Sequence, residues 1–442
     1  MEIYRTYIND ELPTYLIYVP EKRLVSRQEV NKMFHCDMLT VTEAYITKLI
    51  EGAAGHSMLT RKEAVKNLVK RKLKYATFSH KWIERGEPTI RDIMMSLRPA
   101  GYKKLMNFCE RAAEYDCRLA WSDTCCIDKE SSAELEEAIQ SMFKWYRNAH
   151  VCIAHLAEAT SVDDFWTDIW FTRGWILQEL LAPRTIKFYG KDWVPISDSV
   201  NDKQDLRMLN ALSRATGISR YDLCHFCPGI RDVHKKMMWA SKRMTSRVED
   251  MAYCLIGIFD VSLTIAYGEG QRAFYRLMEA IVSRCEEWEI MAWAGQPSPG
   301  SAALPESPRC YKAFDDTSIM AASSDGGHWS WRGGRHFAMT KRGLQLKLLI
   351  VDLPSSSMKL FEGTRNDAEC TRYGKCTVGI IDYWCCDTSG QGVLRPGHDH
   401  LCWLLRSDAF DPYTEWGKVS TTELLFIRTD SEVKKGLSTL WL

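Results

Sequence analysis

The sequence predicts an α/β fold: a parallel sheet flanked by helices, followed by helical segments and a C-terminal β-rich domain. Three observations predict it. Across residues 117–193 short apolar runs that suit strands alternate with stretches of helical period, the pattern of a sheet crossed by helices. The passages between successive strand candidates are long enough for parallel crossovers, which need a dozen residues or more. Past residue 308 the period shifts from helical to strand-like, and strand candidates follow one another.

Tyr75-Ala-Thr-Phe-Ser-His-Lys-Trp82 reads as the first strand of the sheet. Residues 90–97 and 102–115 carry helical periodicity and lead into Leu119-Ala-Trp-Ser-Asp123, the second strand. Thr124-Cys-Cys-Ile-Asp-Lys129 is a polar turn, and Ser131-Ser-Ala-Glu134 offers a capping box that would satisfy the first free N–H groups of a helix. That helix keeps Leu135, Ile139, Met142, Phe143 and Tyr146 at helical spacing, and Val151-Cys-Ile-Ala-His-Leu156 then reads as a buried strand. Thr172 is the expected cap of a helix running through Leu181, Pro183 stops it, and Thr185-Ile-Lys-Phe-Tyr189 is the next strand.

On this reading residues 1–71 are an N-terminal extension and residues 72–200 the α/β core. Within the extension, Thr60 to Lys74 forms a basic amphipathic helix with Val65, Leu68, Val69 and Leu73 on one stripe. It reads as a helix packed on the next domain with its lysines in water, in preference to a membrane-surface element. Residues 201–295 continue as helices, with clear ones over 248–259 and 271–284. Residues 296–308, rich in Pro, Ser and Gly, are expected to be a linker, and 309–442 a β-rich domain.

Composition narrows the function classes. With 442 residues, 45% hydrophobic and 26% charged, the chain can bury a large core in two or three domains. A net charge of +1 provides no global field toward nucleic acid. No run of about 18 apolar residues exists to span a bilayer, and the first residues lack a secretory signal, so a cytoplasmic protein is expected. The sixteen cysteines are scattered, several of them in apolar segments such as Cys152 and Cys254, and read as reduced, buried thiols.

Most motif candidates reduce to structural readings. Cys224-x-x-Cys227, with His225 inside and His234 beyond, is not followed by a second Cys/His pair at finger-like spacing, and no metal is expected. The vicinal pairs Cys125-Cys126 and Cys385-Cys386 read as packing thiols. Gly268-Glu-Gly270-Gln-Arg-Ala273 matches the dinucleotide fingerprint, with Glu286 and Glu287 near the ribose-binding distance, but it lies among helices and reads as a tight turn that starts one. Glu179 carries more chemistry. It follows Trp175 by four residues on one helical face, near the carboxyl ends of the predicted strands, where open parallel sheets bind ligands. A carboxylate beside an aromatic surface is desolvated and raised in pKa, whereas the structural alternative is an ion pair to Arg173 or Arg184. Ser79, His80 and Trp82 end the first strand, Asp123 and Asp128 end the second, and all five are expected on the same rim.

Tyr75-Ala-Thr-Phe-Ser-His-Lys-Trp82, Trp121-Ser-Asp-Thr-Cys-Cys-Ile-Asp-Lys129 running into Ala138-Ile-Gln-Ser-Met-Phe-Lys-Trp-Tyr-Arg147, and Trp170-Phe-Thr-Arg-Gly-Trp-Ile-Leu-Gln-Glu-Leu-Leu-Ala-Pro183 strongly resemble the fungal heterokaryon-incompatibility (HET) domain. The likeness continues through Thr245-Ser-Arg-Val-Glu-Asp-Met-Ala-Tyr-Cys-Leu-Ile-Gly-Ile-Phe-Asp260 and Ala266-Tyr-Gly-Glu-Gly270, and Gly343-Leu-Gln-Leu also looks like proteins of the vegetative-incompatibility type. It covers about residues 72–295. Residues 1–60 depart from the usual short entry, and Ile83 stands where the family often has glycine. The resemblance implies non-self recognition and regulated cell death in a fungus, with protein partners or self-association. The nucleotide-binding and repeat domains common in the family have no counterpart motif in this sequence.

The HET domain in turn is similar to the Toll/interleukin-receptor (TIR) domain, a flavodoxin-like α/β fold. Trp175-Ile-Leu-Gln-Glu179 falls where many TIR domains carry Trp-Cys-x-x-Glu, whose glutamate serves NAD cleavage in the enzymatic members. Carried over by position, Glu179 would be catalytic, contacting the nicotinamide ribose and stabilising positive charge. Ser79, His80, Trp82, Asp123 and Trp175 would bind substrate, and NAD would enter as substrate with no further cofactor. The contrasting reading is a non-enzymatic adaptor that recruits partners or self-assembles, with Glu179 structural.

Overall fold

In the computed structural model, which describes residues 2–39, 46–48, 50, 60–311, 337–353, 355, 357–362, 376–385, 391–407 and 416–442, the chain divides into two units, Met1–Pro228 and Gly229–Leu442. The first runs α1 (Glu2–Glu11), β1 (Tyr15–Tyr18), β2 (Arg23–Ser26), α2 (Arg27–Leu39), α3 (Arg61–Lys72), β3 (Tyr75–His80), α4 (Ile90–Met94), α5 (Tyr102–Glu114), β4 (Leu119–Trp121), α6 (Ser132–Asn148), β5 (Val151–His155), α7 (Ile176–Leu181), β6 (Ile186–Tyr189), α8 (Leu206–Thr216) and α9 (Arg220–His225).

Its six strands lie in the order β2-β1-β4-β3-β5-β6. β4, β3, β5 and β6 are parallel, with Tyr75 beside Leu119, Ala76 beside Val151 and Cys152 beside Ile186. Every residue of β3 and β5 is buried, which is why β5 reads as a nearly continuous apolar run, while β3 carries Thr77, Ser79 and His80 into the interior. From β3 the chain steps to β4 on one side, then returns past β3 to β5 on the other. Right-handed crossovers therefore put α5 on one face of the sheet and α6 with α7 on the opposite face.

The N-terminal residues differ from the extension expected of them. β1 continues the sheet, pairing Ile17 with Ala120 antiparallel, and β2 pairs with β1. Glu11 pairs with Lys66 at 2.8 Å and accepts from Asn148 at 2.7 Å, tying α1 to α3 and α6. Four-residue strands are too short for a period to declare itself, so the sequence pattern hides them. α3 opens on a Thr60–Glu63 capping box and buries Ala64, Leu68 and Val69.

α7 is also shorter than expected. Thr172 closes a 3-10 turn, Ile169–Thr172, with its hydroxyl donating to the Ile169 carbonyl at 2.8 Å, and the helix starts at Ile176, with Trp175 in the cap position and making no side-chain capping bond among the described residues.

The second unit opens with α10 (Val233–Ser241), α11 (Asp250–Tyr253), α12 (Ile256–Phe259) and α13 (Arg272–Val282). The helix expected over 248–259 is thus two single turns, and the helical stretch 201–295 is shared between the units. Residues 296–308, expected as a linker, hold a hairpin, β7 (Pro297–Ser298) and β8 (Ser301–Pro305), with Ala303 and Leu304 buried. The Pro299-Gly300 pair makes its turn, so the Pro/Gly signal was a hairpin signal.

Then follow β9 (Phe337–Thr340), β10 (Gly343–Leu353), β11 (Met358–Glu362), β12 (Cys376–Ile380), β13 (Trp384–Cys385), β14 (Gln391–Leu394), β15 (His400–Ser407), β16 (Trp416–Lys418), β17 (Leu425–Thr429), β18 (Val433–Gly436) and β19 (Ser438–Trp441). The main sheet, β11-β17-β15-β12-β10-β19 with β9 and β16 attached, is antiparallel and closes over Leu349, Val351, Val378, Ile380, Leu404 and Ile427. Among the described residues no helix is long and apolar enough to cross a membrane.

Candidate functional site

The carboxyl ends of β3 and β5 mark the point where successive connections leave in opposite directions, the position at which open parallel sheets bind ligands. Alternation along β3 decides what lies on each side. Phe78 stacks on Phe108 of α5 at 4.5 Å and His80 stacks on Phe78 at 4.0 Å, so both point to the α5 face. Ser79 points the other way, to α6 and α7.

There Ser79 Oγ donates to Glu179 Oε2 at 2.5 Å and accepts from Trp170 Nε1 at 2.9 Å. Tyr146 of α6 donates its hydroxyl hydrogen to the Phe78 carbonyl at 2.8 Å. All six residues of α7 are buried, and Glu179 is 4% exposed. Burial first, then the nearby charge of Asp123, push the Glu179 carboxyl up to about 8, against the opposing pull of the Ser79 hydrogen bond and the Arg173 charge. Asp168 organises the approach to α7: 1% exposed, it accepts from Trp170 N at 2.8 Å and from Glu158 N at 2.9 Å, which fixes where the Trp170 indole begins.

Across the sheet His80 lies beside His155 in the β3–β5 register, and Trp193 stacks on His155 at 4.5 Å. Burial lowers the His80 pKa and takes His155 down to about 4. His80 Nε2 is 3.6 Å from Glu87 Oε1, beyond a hydrogen bond, while Lys104 pairs with the same carboxylate. Burial opposes the Glu87 charge, but the His80 ring, the Lys104 ammonium and the Ile83 N–H outweigh it and hold the carboxyl down at about 2.

At the rim Trp82 Nε1 donates to Asp123 Oδ2 at 3.0 Å, and Lys129 Nζ stands 4.0 Å over the Trp82 ring. Trp82 is exposed and Asp123 half-buried. Asp128 accepts the Glu130 N–H in its own loop. Trp175 is half-buried at the head of α7, its carbonyl accepting the Glu179 N–H at 3.5 Å. The structure therefore brings Ser79 and Glu179 into direct contact, sets the charge of Asp123 beside them with Trp82, and sends His80 to the opposite face, because adjacent strand residues cannot share one. Sequence reasoning missed Tyr146 and Trp170 as members. Both stand inside the motif segments, but Tyr146 reads as one more apolar position of its helix.

The other candidates are self-contained. Gly268 and Gly270 take φ of 101° and 60°, and their N–H groups point at Glu249 Oε1 at 2.8 and 3.0 Å, so the protein's own carboxylate fills the place of a phosphate. The segment before them forms no strand. Cys224 and Cys227 are exposed thiols, and Cys125 and Cys126 are buried ones. Among the described residues no group of three or more His, Cys, Asp or Glu could hold a metal ion. Cys386 lies outside the described residues.

Residues 75–168 match the family model described as heterokaryon incompatibility protein (HET). Over 227 residues the chain is 40% identical to the vegetative incompatibility protein HET-E-1 of Podospora anserina, which is 47% of this chain and 16% of that protein. The chain thus spans a small part of this relative's length. No solved structure matches the chain at a significant level.

Proposed function

From the heterokaryon-incompatibility domain that residues 75–168 carry, we propose that this chain acts in vegetative incompatibility, and that its HET domain does so by cleaving NAD at Glu179. One observation carries the chemical part: a carboxyl buried at the carboxyl edge of a parallel sheet, aimed by Ser79. The order of the parallel strands supports the comparison with TIR domains. Counted along the chain they lie 2-1-3-4, as in flavodoxin-like folds, and Glu179 follows the third of them.

In the proposed reaction the bond between nicotinamide and ribose C1′ breaks, and its electron pair leaves with the nicotinamide nitrogen. The Glu179 carboxylate stabilises the positive charge on the ribose, and water then adds to C1′ and releases a proton. Arg173 and Lys129 are cations at hand for the diphosphate. The test is nicotinamide release by purified protein over a range of concentrations. Wild type is expected to release it, whereas Glu179→Ala is folded and silent; equal turnover in the variant removes Glu179 from the reaction.

A second reading has its own support, because a side chain only 4% exposed can equally be a structural member of the core. On that reading the domain recruits protein partners or copies of itself, and Glu179→Ala unfolds. Toxicity in cells whose NAD stays constant favours it over the enzyme.

A further inference from the structure

Hydrogen counting around Glu179 leads further. The Trp170 indole can only donate, and it gives its hydrogen to Ser79 Oγ at 2.9 Å. Ser79 has one hydrogen and gives it to Glu179 Oε2 at 2.5 Å. On the other flank Tyr146 also has one, committed at 2.8 Å to the Phe78 carbonyl, an oxygen that can only accept. The Tyr146 hydroxyl faces the Glu179 carboxyl as well. With its one hydrogen committed to Phe78, it is left to meet that carboxyl with a lone pair.

A carboxylate in this position sets lone pair against lone pair. A carboxylic acid completes the line. From Trp170 through Ser79, Glu179 and Tyr146 to Phe78, each link holds one hydrogen, all directed the same way, only if Glu179 supplies one of its own.

We propose that Glu179 rests as the neutral acid with its proton seated on Tyr146, that Tyr146 and Ser79 are positioning residues holding the site latent, and that the working carboxylate forms only when this proton leaves to solvent. The link to NAD rests on the function proposed above; the protonation does not. The other groups facing Glu179 sort by sign. Burial and the charge of Asp123 favour the neutral acid, and Arg173 before α7 opposes it. Cys152 of β5 is a buried thiol, raised above its ordinary pKa, and adds no charge.

The experiment is infrared spectroscopy of the full chain, recording wild type minus Glu179→Gln from about pH 5 to about pH 10. A carboxylic-acid carbonyl band present at neutral pH and lost as pH passes about 8 is expected. Ser79→Ala removes a donor to the charged form, so its midpoint rises, by about tenfold in proton affinity. Tyr146→Phe removes the acceptor of the acid, so its midpoint falls; a rise means that Tyr146 donates to a carboxylate, and overturns the proposal. Should Tyr146→Phe fail to fold, the wild-type spectrum still decides, because absence of the band at neutral pH overturns the proposal even in an enzyme that cleaves NAD. If the band is there and no nicotinamide is released at any pH, the protonation stands and the NAD reading falls.

Discussion

Glu179 and Lys418 are both ionisable groups whose charge the fold disfavours, and they make opposite predictions with pH. The folded protein binds the Glu179 proton more tightly than the unfolded chain, with a pKa of about 8 against an ordinary 4.5. The stability cost is absent below about 4.5 and grows as pH rises to about 8. Urea unfolding of wild type across this window should therefore show falling stability, and Glu179→Gln, an amide of the same shape as the acid, should flatten the fall. Lys418 is the reverse case. Among the described residues its Nζ has no hydrogen-bond partner; it stands 3.7 Å over the Trp293 ring, and burial lowers its pKa to about 7 from an ordinary 10.5. Its cost is full below about 7 and is relieved as pH rises toward 10.5. The indole face offsets only part of it, so Lys418→Met should melt at the same temperature as wild type or higher at neutral pH. Of these residues, Glu179 was legible from its spacing to Trp175 and its place near a strand end. Ser79 was legible as a neighbour but His80 was wrongly grouped with it, because a rim inferred from strand ends ignores the alternation that separates consecutive side chains.

Among the elements, the two short strands of the N-terminal region and the 3-10 turns before α7 bear most on the site. β1 covers the edge of β4, so removing residues 1–59 exposes an unpaired strand and deletes the Glu11 contacts to Lys66 and Asn148. Such a truncation should aggregate, as light scattering would show; a soluble monomer with wild-type far-ultraviolet dichroism would mean that the extension is dispensable. Asp168 holds the segment that aims Trp170, and Asp168→Ala should lower stability by roughly 3 kcal/mol, since it strands buried N–H groups that now meet a charged acceptor. The periodic elements could be read in advance. α5 and α6 bury one face each, and one-sided burial writes a helical period into the sequence, whereas β3 and β5 are buried throughout and were legible as compact runs between helical stretches. The stretch 160–172 is held by local side-chain bonds, Asp164 to Thr160 and Ser161 and then Asp168 to Trp170, which leave no period to read.

For the whole molecule, a sheet flanked by helices followed by an antiparallel β-rich sheet was expected from the change of period along the chain, but the first sheet is mixed and not wholly parallel, because β1 and β2 join it antiparallel. The boundaries were less legible, since Pro299-Gly300 signals a turn without saying whether a linker or a hairpin surrounds it. On this architecture Glu179 sits at the carboxyl edge of the first sheet, and the incompatibility role proposed for the chain depends on what that carboxyl does. Nicotinamide release measured as a function of pH, for wild type and Glu179→Gln side by side, tests this most directly. The account predicts release by wild type that climbs as pH passes about 8, and none from a variant that is equally well folded. Release that is the same in both proteins, or absent from wild type throughout, would contradict it.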